Sequence, residues 1–206
     1  MKKYQAKKLI KKSRYLNYVS SLNEEIKHEV FNEVDELITN EKEYCDKGNY
    51  THLANLFFAI AIYDVLTKHK GEEEAFKIVS TEMWKVLKPQ SMQNLAKKKF
   101  FLPLMKKVVP FGFKHGSGYG WKYTWHKNEP KNIFTFECNK CIYADLFKKY
   151  GVCKLGPVFC YADIINYGSL PYTDFIRTQT LCNNGTCCDF KFVRYENNDF
   201  ERSKSI

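Results

Sequence analysis

Arginine is scarce in this chain. Only Arg14, Arg177, Arg194 and Arg202 stand among 33 basic residues; the rest of the positive charge, which gives a formal net charge of +10, is lysine. Proteins that read nucleic acids lean on arginine forks, which match base edges and phosphates two bonds at a time. A basic chain built on lysine therefore argues against a nucleic-acid partner. Long apolar runs are missing too. The longest, "LFFAIAIY" at 56–63, is far too short to span a bilayer. The basic start "MKKYQAKKLIKKSRYL" is not followed by the apolar stretch of a secretion signal. These absences predict a cytoplasmic protein with no membrane partner. Proline and glycine number only six and ten, and no linker is long enough to separate a pair of independent domains.

Core-forming residues and thiols are plentiful. The chain is 44% hydrophobic and 16% aromatic, enough for a core without disulfide staples. In a reducing compartment its eight cysteines are expected as free thiols. All but Cys45 lie after residue 137, and that clustering asks for a local reason.

The first half reads as helices. "SLNEEIKHEVFNEVDELITNEKEY" offers Ser21 and Glu24 as a capping box, then Ile26, Val30, Val34, Leu37 and Ile38 at helical spacing. "THLANLFFAIAIYDVLTKHKG" is apolar on more than one face and predicts a buried helix ended by Gly71. "EEEAFKIVSTEMWKVLKP" is amphipathic and stops before Pro89. "SMQNLAKKKFFLPLMKKVVPFGF" continues helical, with Pro103 expected to break or kink it.

After residue 110 the texture changes. "WKYTWHKN" and "NIFTFEC" read as strands. "CNKCIYADLFKKYG" and "GPVFCYADIINYG" read as helices, with Gly151 and Gly168 past their ends. "YTDFIRTQTL" and "CCDFKFVRY" flank "CNNG" as a hairpin, and the tail "ENNDFERSKSI" is expected to fray. The order predicts one α+β domain over 1–206. Its helical N-terminal half, residues 1–110, packs on a small antiparallel sheet, and a strand-strand-helix-helix-hairpin region, residues 111–195, carries the site.

Several side chains could carry chemistry. Cys160 and Asp163 share a helix face, and Cys138 and Cys141 share another. On the hairpin, Cys188, Phe190 and Phe192 face one way and Asp189 the other. An arginine buried there, Arg177, needs an anion: Asp163, Asp189 or a substrate carboxylate. His115 or His126 could act as a base beside a thiol, whereas His28, His52 and His69 read as surface or packing residues. Any single cysteine is most simply a core residue. The pair "CNKC" raises zinc, but no second pair of that spacing completes a structural site. "GFKHGSGYG" lacks the strand and helix that a phosphate loop requires.

Taken together, "CIYADLFKKYG", "FCYADIINYG" and "FIRTQTLCNNGTCCDF" resemble the L-2-amino-thiazoline-4-carboxylic acid hydrolase family. The shared pattern falls on Cys141 with Tyr143, Cys160 with Asp163, Arg177 with Thr180, Gly185, and Cys188-Asp189-Phe190. The resemblance implies a hydrolase that opens a small cyclic C–N or C–S substrate, such as an aminothiazoline carboxylate, by cysteine-assisted attack without a metal or cofactor. Catalytic roles would fall to Cys160, Asp163, Cys141 and Cys188. Cys160 is the preferred nucleophile, on the expectation that it sits near a helix start, where thiol pKa drops. Arg177 would hold the carboxylate, with Asp189, Thr180 and His126 also at the substrate. The partner is then a small acidic molecule. A non-catalytic small-molecule binding or sensor domain on the same fold is the alternative, and it would need no activated thiol.

Overall fold

A computed structural model describes residues 3–85, 87 and 89–206. Its helices are α1 (Lys3–Ile10), α2 (Leu16–Ser20), α3 (Glu24–Asn40), α4 (Tyr50–Lys70), α5 (Glu72–Lys85), α6 (Gln90–Ala96), α7 (Phe101–Gly116), α8 (Ile142–Lys149) and α9 (Gly156–Tyr167). The strands are β1 (Lys122–His126), β2 (Ile133–Lys140), β3 (Thr173–Ile176) and β4 (Cys188–Arg194), in the order β1-β2-β4-β3 with every neighbouring pair antiparallel. The fold is therefore α+β, as the segment order predicts. Met1, Lys2, Val86 and Lys88, the last two at the predicted end of the third helical segment, lie outside the described residues. No helix among the described residues is long and apolar enough to cross a membrane.

Two cores organise the chain. In the first, every residue of α4 from 53 to 63 is buried, which is why its sequence shows no single apolar stripe. The apolar faces of α3, α5, α8 and α9 pack around it. The second core is aromatic. Phe134 and Phe136 of β2 pair across the sheet with Phe192 and Phe190 of β4, and Phe175 of β3 pairs with Phe192. Phe101, Leu102 and Met105 of α7 cover that face. The row of rings ends in sulfur: Cys138 pairs directly with Cys188.

The structure corrects several local expectations. Asn23, not Ser21, caps α3, its side chain accepting the Ile26 amide at 2.9 Å, while the Ser21 hydroxyl turns back to the Tyr18 carbonyl of α2. Pro103 causes no break, because it lies in the first turn of α7, where its missing N–H is not needed. The interior proline is Pro110. Cys138 is not helical, since pairing with β1 and β4 carries β2 through to Lys140. Cys141 then becomes the cap residue of α8. The first hairpin strand stops at Ile176 rather than Leu181: the Asp189 carboxylate draws the Thr178 and Gln179 amides out of the ladder, at 2.8–3.1 Å. The tail does not fray. Arg202 donates to the Thr173 and Leu170 carbonyls, Ser203 binds Asp174, and the Ile206 amide donates to the Arg177 carbonyl. Gly151, at φ +71, closes α8 as read from the sequence, with the Val152 and Gly151 amides bonded to Phe147 and Lys148 carbonyls.

The glycine-rich segment after α7 is a clasp. Gly118 lies so close to Asp46 that a Cβ would fall about 2.0 Å from the carboxylate. Asn49, fully buried, uses its whole side chain here: Nδ2 donates to the Tyr44 and Tyr119 carbonyls, and Oδ1 accepts from the Gly118 amide and the Trp121 indole. This fixes Trp121 at the start of the sheet. Each of these bonds contributes about 0.5–1.5 kcal/mol, and the groups left behind would be buried without partners, so Asn49→Ala is expected to destabilise the protein by about 2–4 kcal/mol. Denaturant unfolding measures it, and a midpoint equal to wild type would contradict the clasp.

Candidate active site

The cysteine cap of α8 is the centre of the site. Cys141 sits in extended backbone at the helix N-terminus, with its residue almost wholly buried. A thiolate there is favoured because the first amides of a helix have no internal partners. Its thiol is held well below the ordinary value. The neighbouring Cys138 and Cys182 thiols lower it most, and the Ala144 and Tyr143 amides add to the effect against the opposing effect of burial.

The neighbouring sulfurs form a chain: Cys160, Cys182, Cys141, Cys138, Cys188. Cys182 lies beside both Cys141 and Cys160, and its thiol is pushed up first by Cys141, then by Cys160 and by burial. Cys138 faces Cys141 and Cys188 and is pushed up for the same reason. Its S–H donates to the Lys140 carbonyl oxygen at 3.0 Å. Cys188 is held down, first by Cys138 and then, against burial, by the Leu181 amide at 3.3 Å. All eight cysteines are free thiols. Cys45, pushed up to about 11 by burial, together with Cys153 and Cys187, stands outside this chain. Among the described residues no group of three or more His, Cys, Asp or Glu side chains is arranged to hold a metal ion.

Gly156 lets the 181–183 turn approach. A Cβ there would meet the Cys182 Cβ at 2.7 Å and its sulfur at 2.9 Å. Gly185 does likewise beside the Thr180 carbonyl. The left-handed Asn184, at φ 59, turns the chain back toward β4.

Asp163 of α9 completes the cluster. It binds Arg177 Nη1 at 2.8 Å. Its side chain is 33% exposed, yet protein surrounds it closely enough to push its pKa up to about 6 by desolvation. The guanidinium pulls in the other direction, and the Cys141 thiolate raises the value further. His52 of α4 stands on the other side of Cys141, its Nδ1 2.9 Å from the Tyr143 hydroxyl, its ring 5.0 Å from Trp121, its basicity lowered by burial. Tyr123 of β1 faces Cys138, Cys141 and Asp163, and its pKa is raised, chiefly by burial.

The structure thus brings Cys141, Cys160, Cys188, Asp163 and Arg177 together. Cys160 is not at a helix start, however: it is the fifth residue of α9, beyond the reach of the free amides. Arg177 is 1% exposed, and its guanidinium is engaged with Asp163, the Cys160 carbonyl at 3.0 Å and the Ile206 main-chain oxygen. The Asp189 carboxylate is occupied by the 178–179 backbone and the Thr178 hydroxyl. Thr180 is buried, its carbonyl closing the turn through Asn183 and Gly185. His126 lies on the exposed edge strand, 3.4 Å from Glu137 and away from the thiols, and His115 stacks on Phe111 of α7. Sequence reasoning missed His52 because a lone histidine in an apolar helix carries no local signal. It missed Asn49 because a clasp shows only in three dimensions.

The family model for L-2-amino-thiazoline-4-carboxylic acid hydrolase matches residues 50–192. The chain belongs to this family. The match takes in His52, Tyr123, Cys141, Asp163, Arg177 and Cys188. No curated protein and no solved structure matches the chain significantly.

If Cys141 is the ionised thiol, the ultraviolet absorbance of a thiolate should persist at neutral pH in the wild-type protein and disappear in Cys141→Ser. A Cys141→Ser spectrum identical to wild type would place the thiolate elsewhere.

Proposed function

We propose that this chain is a hydrolase that opens a small cyclic amidine-type substrate at a C–N or C–S bond, with Cys141 as nucleophile and Asp163 as proton carrier. The family name, L-2-amino-thiazoline-4-carboxylic acid hydrolase, gives the hydrolase class. The observation that carries the assignment within it is the position of Cys141: the one cysteine of the sulfur chain at the N-terminus of an α-helix, beside the Cys138 and Cys182 thiols. Cys160 lacks those amides, and its contact with Cys182 makes it a supporting member of the chain.

The Cys141 thiolate adds to the electrophilic carbon between the substrate's heteroatoms, forming an S–C bond. Asp163, ionised at the start, carries a proton from the adduct nitrogen to the departing ring atom as the ring bond breaks. Water then adds to the same carbon and gives up a proton to Asp163. The bond to Cys141 breaks, the thiolate returns, and the proton passes to solvent. Arg177 acts by holding Asp163 in place and opposing its desolvation.

The sign of the pH dependence follows from the direction of the Asp163 shift. Below about pH 6 the carboxyl is protonated and the first proton transfer has no acceptor; above it the carboxylate is available. Activity should therefore rise through about pH 6. Replacing an acid–base group removes roughly 10²–10⁴ in rate, so Asp163→Asn should lower kcat by that order and abolish the acid limb. Cys141→Ser should lower kcat on the order of 10³-fold or more while leaving substrate binding nearly intact. Turnover and binding with an aminothiazoline carboxylate test both. Full turnover in Cys141→Ser with loss in Cys160→Ser would move the nucleophile to Cys160. Full turnover in both would favour a binding domain.

A further inference from the structure

Arg177 is consumed inside the protein, so a substrate carboxylate needs another cation. A groove supplies several. It runs between α7 and the aromatic edge of the sheet, encloses about 710 Å³, and is walled by Phe113, Trp121, Tyr123 and Trp125. Lys106, Lys114 and Lys127 stand around it, and no acidic side chain among the described residues lines it. Lys106 donates to the Pro130 carbonyl at 2.7 Å, while Lys114 and Lys127 are exposed at the rim. The rings form one continuous surface: Phe113 lies 4.8 Å from Tyr123 and Trp125 lies 5.7 Å from Tyr123. Trp121 and Tyr123 also pack against Cys138, Cys141 and Cys188, so the same two rings wall the groove and the thiol site.

We propose that this groove binds the body of a flat aromatic or heteroaromatic acid, its anionic group held by Lys114 and Lys127. A groove of this volume is of the size that takes drug-sized ligands, about 300–1,000 Å³, and a bare five-membered ring acid would leave most of it unfilled. A flat apolar body gains by stacking on ring faces, and an anion gains from lysines in a groove with no acidic side chain among its described lining residues. The groove as a ligand site stands on its own geometry. That its ligand is the substrate rests on the hydrolase reading.

The test uses naphthoate and its uncharged counterpart naphthamide, titrated into the intact protein and into Cys141→Ser, by calorimetry and tryptophan fluorescence. Naphthoate should bind both proteins and slow turnover in the intact one. Naphthamide should bind about tenfold more weakly, and Lys114→Gln with Lys127→Gln should cost naphthoate a similar factor while leaving naphthamide unchanged. Both lysines are exposed, so these variants should fold. Trp125→Ala should weaken both ligands. No binding of naphthoate, equal binding of acid and amide, or naphthoate affinity untouched by the lysine changes would overturn the proposal. Naphthoate binding without inhibition of turnover would overturn the substrate assignment alone. The outcomes separate from those of the thiol reading: a groove that fails while Cys141→Ser is inactive leaves the hydrolase standing. A groove that passes while Cys141→Ser turns over normally leaves the groove without that nucleophile.

Discussion

A single buried guanidinium holds the second half of the molecule together. Arg177 is 1% exposed, and its contacts reach α9 through Asp163 and the Cys160 carbonyl, and the tail through Ile206. Its plane lies 5.9 Å from the ring centroids of both Phe175 and Phe190. A buried charge left unpaired is strongly destabilising, so the fold must bring these partners to it. The tail therefore docks along β3 instead of fraying. The hydroxyl of Ser205 binds the Phe175 carbonyl and accepts the Arg177 amide, and Ser203 closes on Asp174. Helix α9 is held at a fixed distance from the sheet for the same reason.

That distance sets the electrostatics of the thiols. Asp163 and a Cys141 thiolate are like charges facing each other, and each makes the other harder to ionise. The guanidinium offsets this on the Asp163 side. On the sulfur side the relief comes from neutral donors: the thiols of Cys138 and Cys182, and the amides at the start of α8. A second buried cation beside Cys141 would carry its own desolvation penalty. Thiols are small, tolerate apolar surroundings and still donate weakly. A row of cysteines at the end of a phenylalanine sheet is thus a way to stabilise an anion without burying another charge.

What could be read from the chain alone, and what could not, divides by the range of the forces involved. Helical periodicity in 26–38, the all-round apolarity of α4, the alternation of β4 and the glycine stop after α8 are local signals, and each led to the correct element. Asp163 as a partner for Arg177 was among the alternatives because charge pairing of a buried arginine is obligatory. The boundary between β2 and α8 was not readable. Cys138 fits both the strand "NIFTFEC" and the helix "CNKCIYADLFKKYG" as read from the sequence, and only pairing with β1 carries the strand on to Lys140. The early end of β3 depends on Asp189, ten or eleven positions away from the amides it captures. The same is true of His52, which meets Tyr143 across 91 residues. Strand pairing carries β2 past Cys138 and leaves Cys141 as the cap of α8, while Cys160 is the fifth residue of α9, beyond its free amides.

The clasp around Asn49 joins these levels. It is built from the turn between α3 and α4 and the loop before β1, two segments about seventy residues apart. Its product is the fixed position of Trp121, whose ring lies 5.0 Å from His52, 5.7 Å from Tyr143 and 6.1 Å, nearly parallel, from Tyr123. That aromatic wall separates a cationic groove from a buried row of sulfurs. Water excluded by the wall would otherwise screen the donors that lower the Cys141 thiol, since the same contacts are weaker in a high-dielectric setting. Cys141 is buried, and Tyr123 packs beside it. The tyrosine has the means to hold its place at rest, through Phe113 at 4.8 Å and the Ser117 hydroxyl at 3.4 Å, both contributed by the groove side.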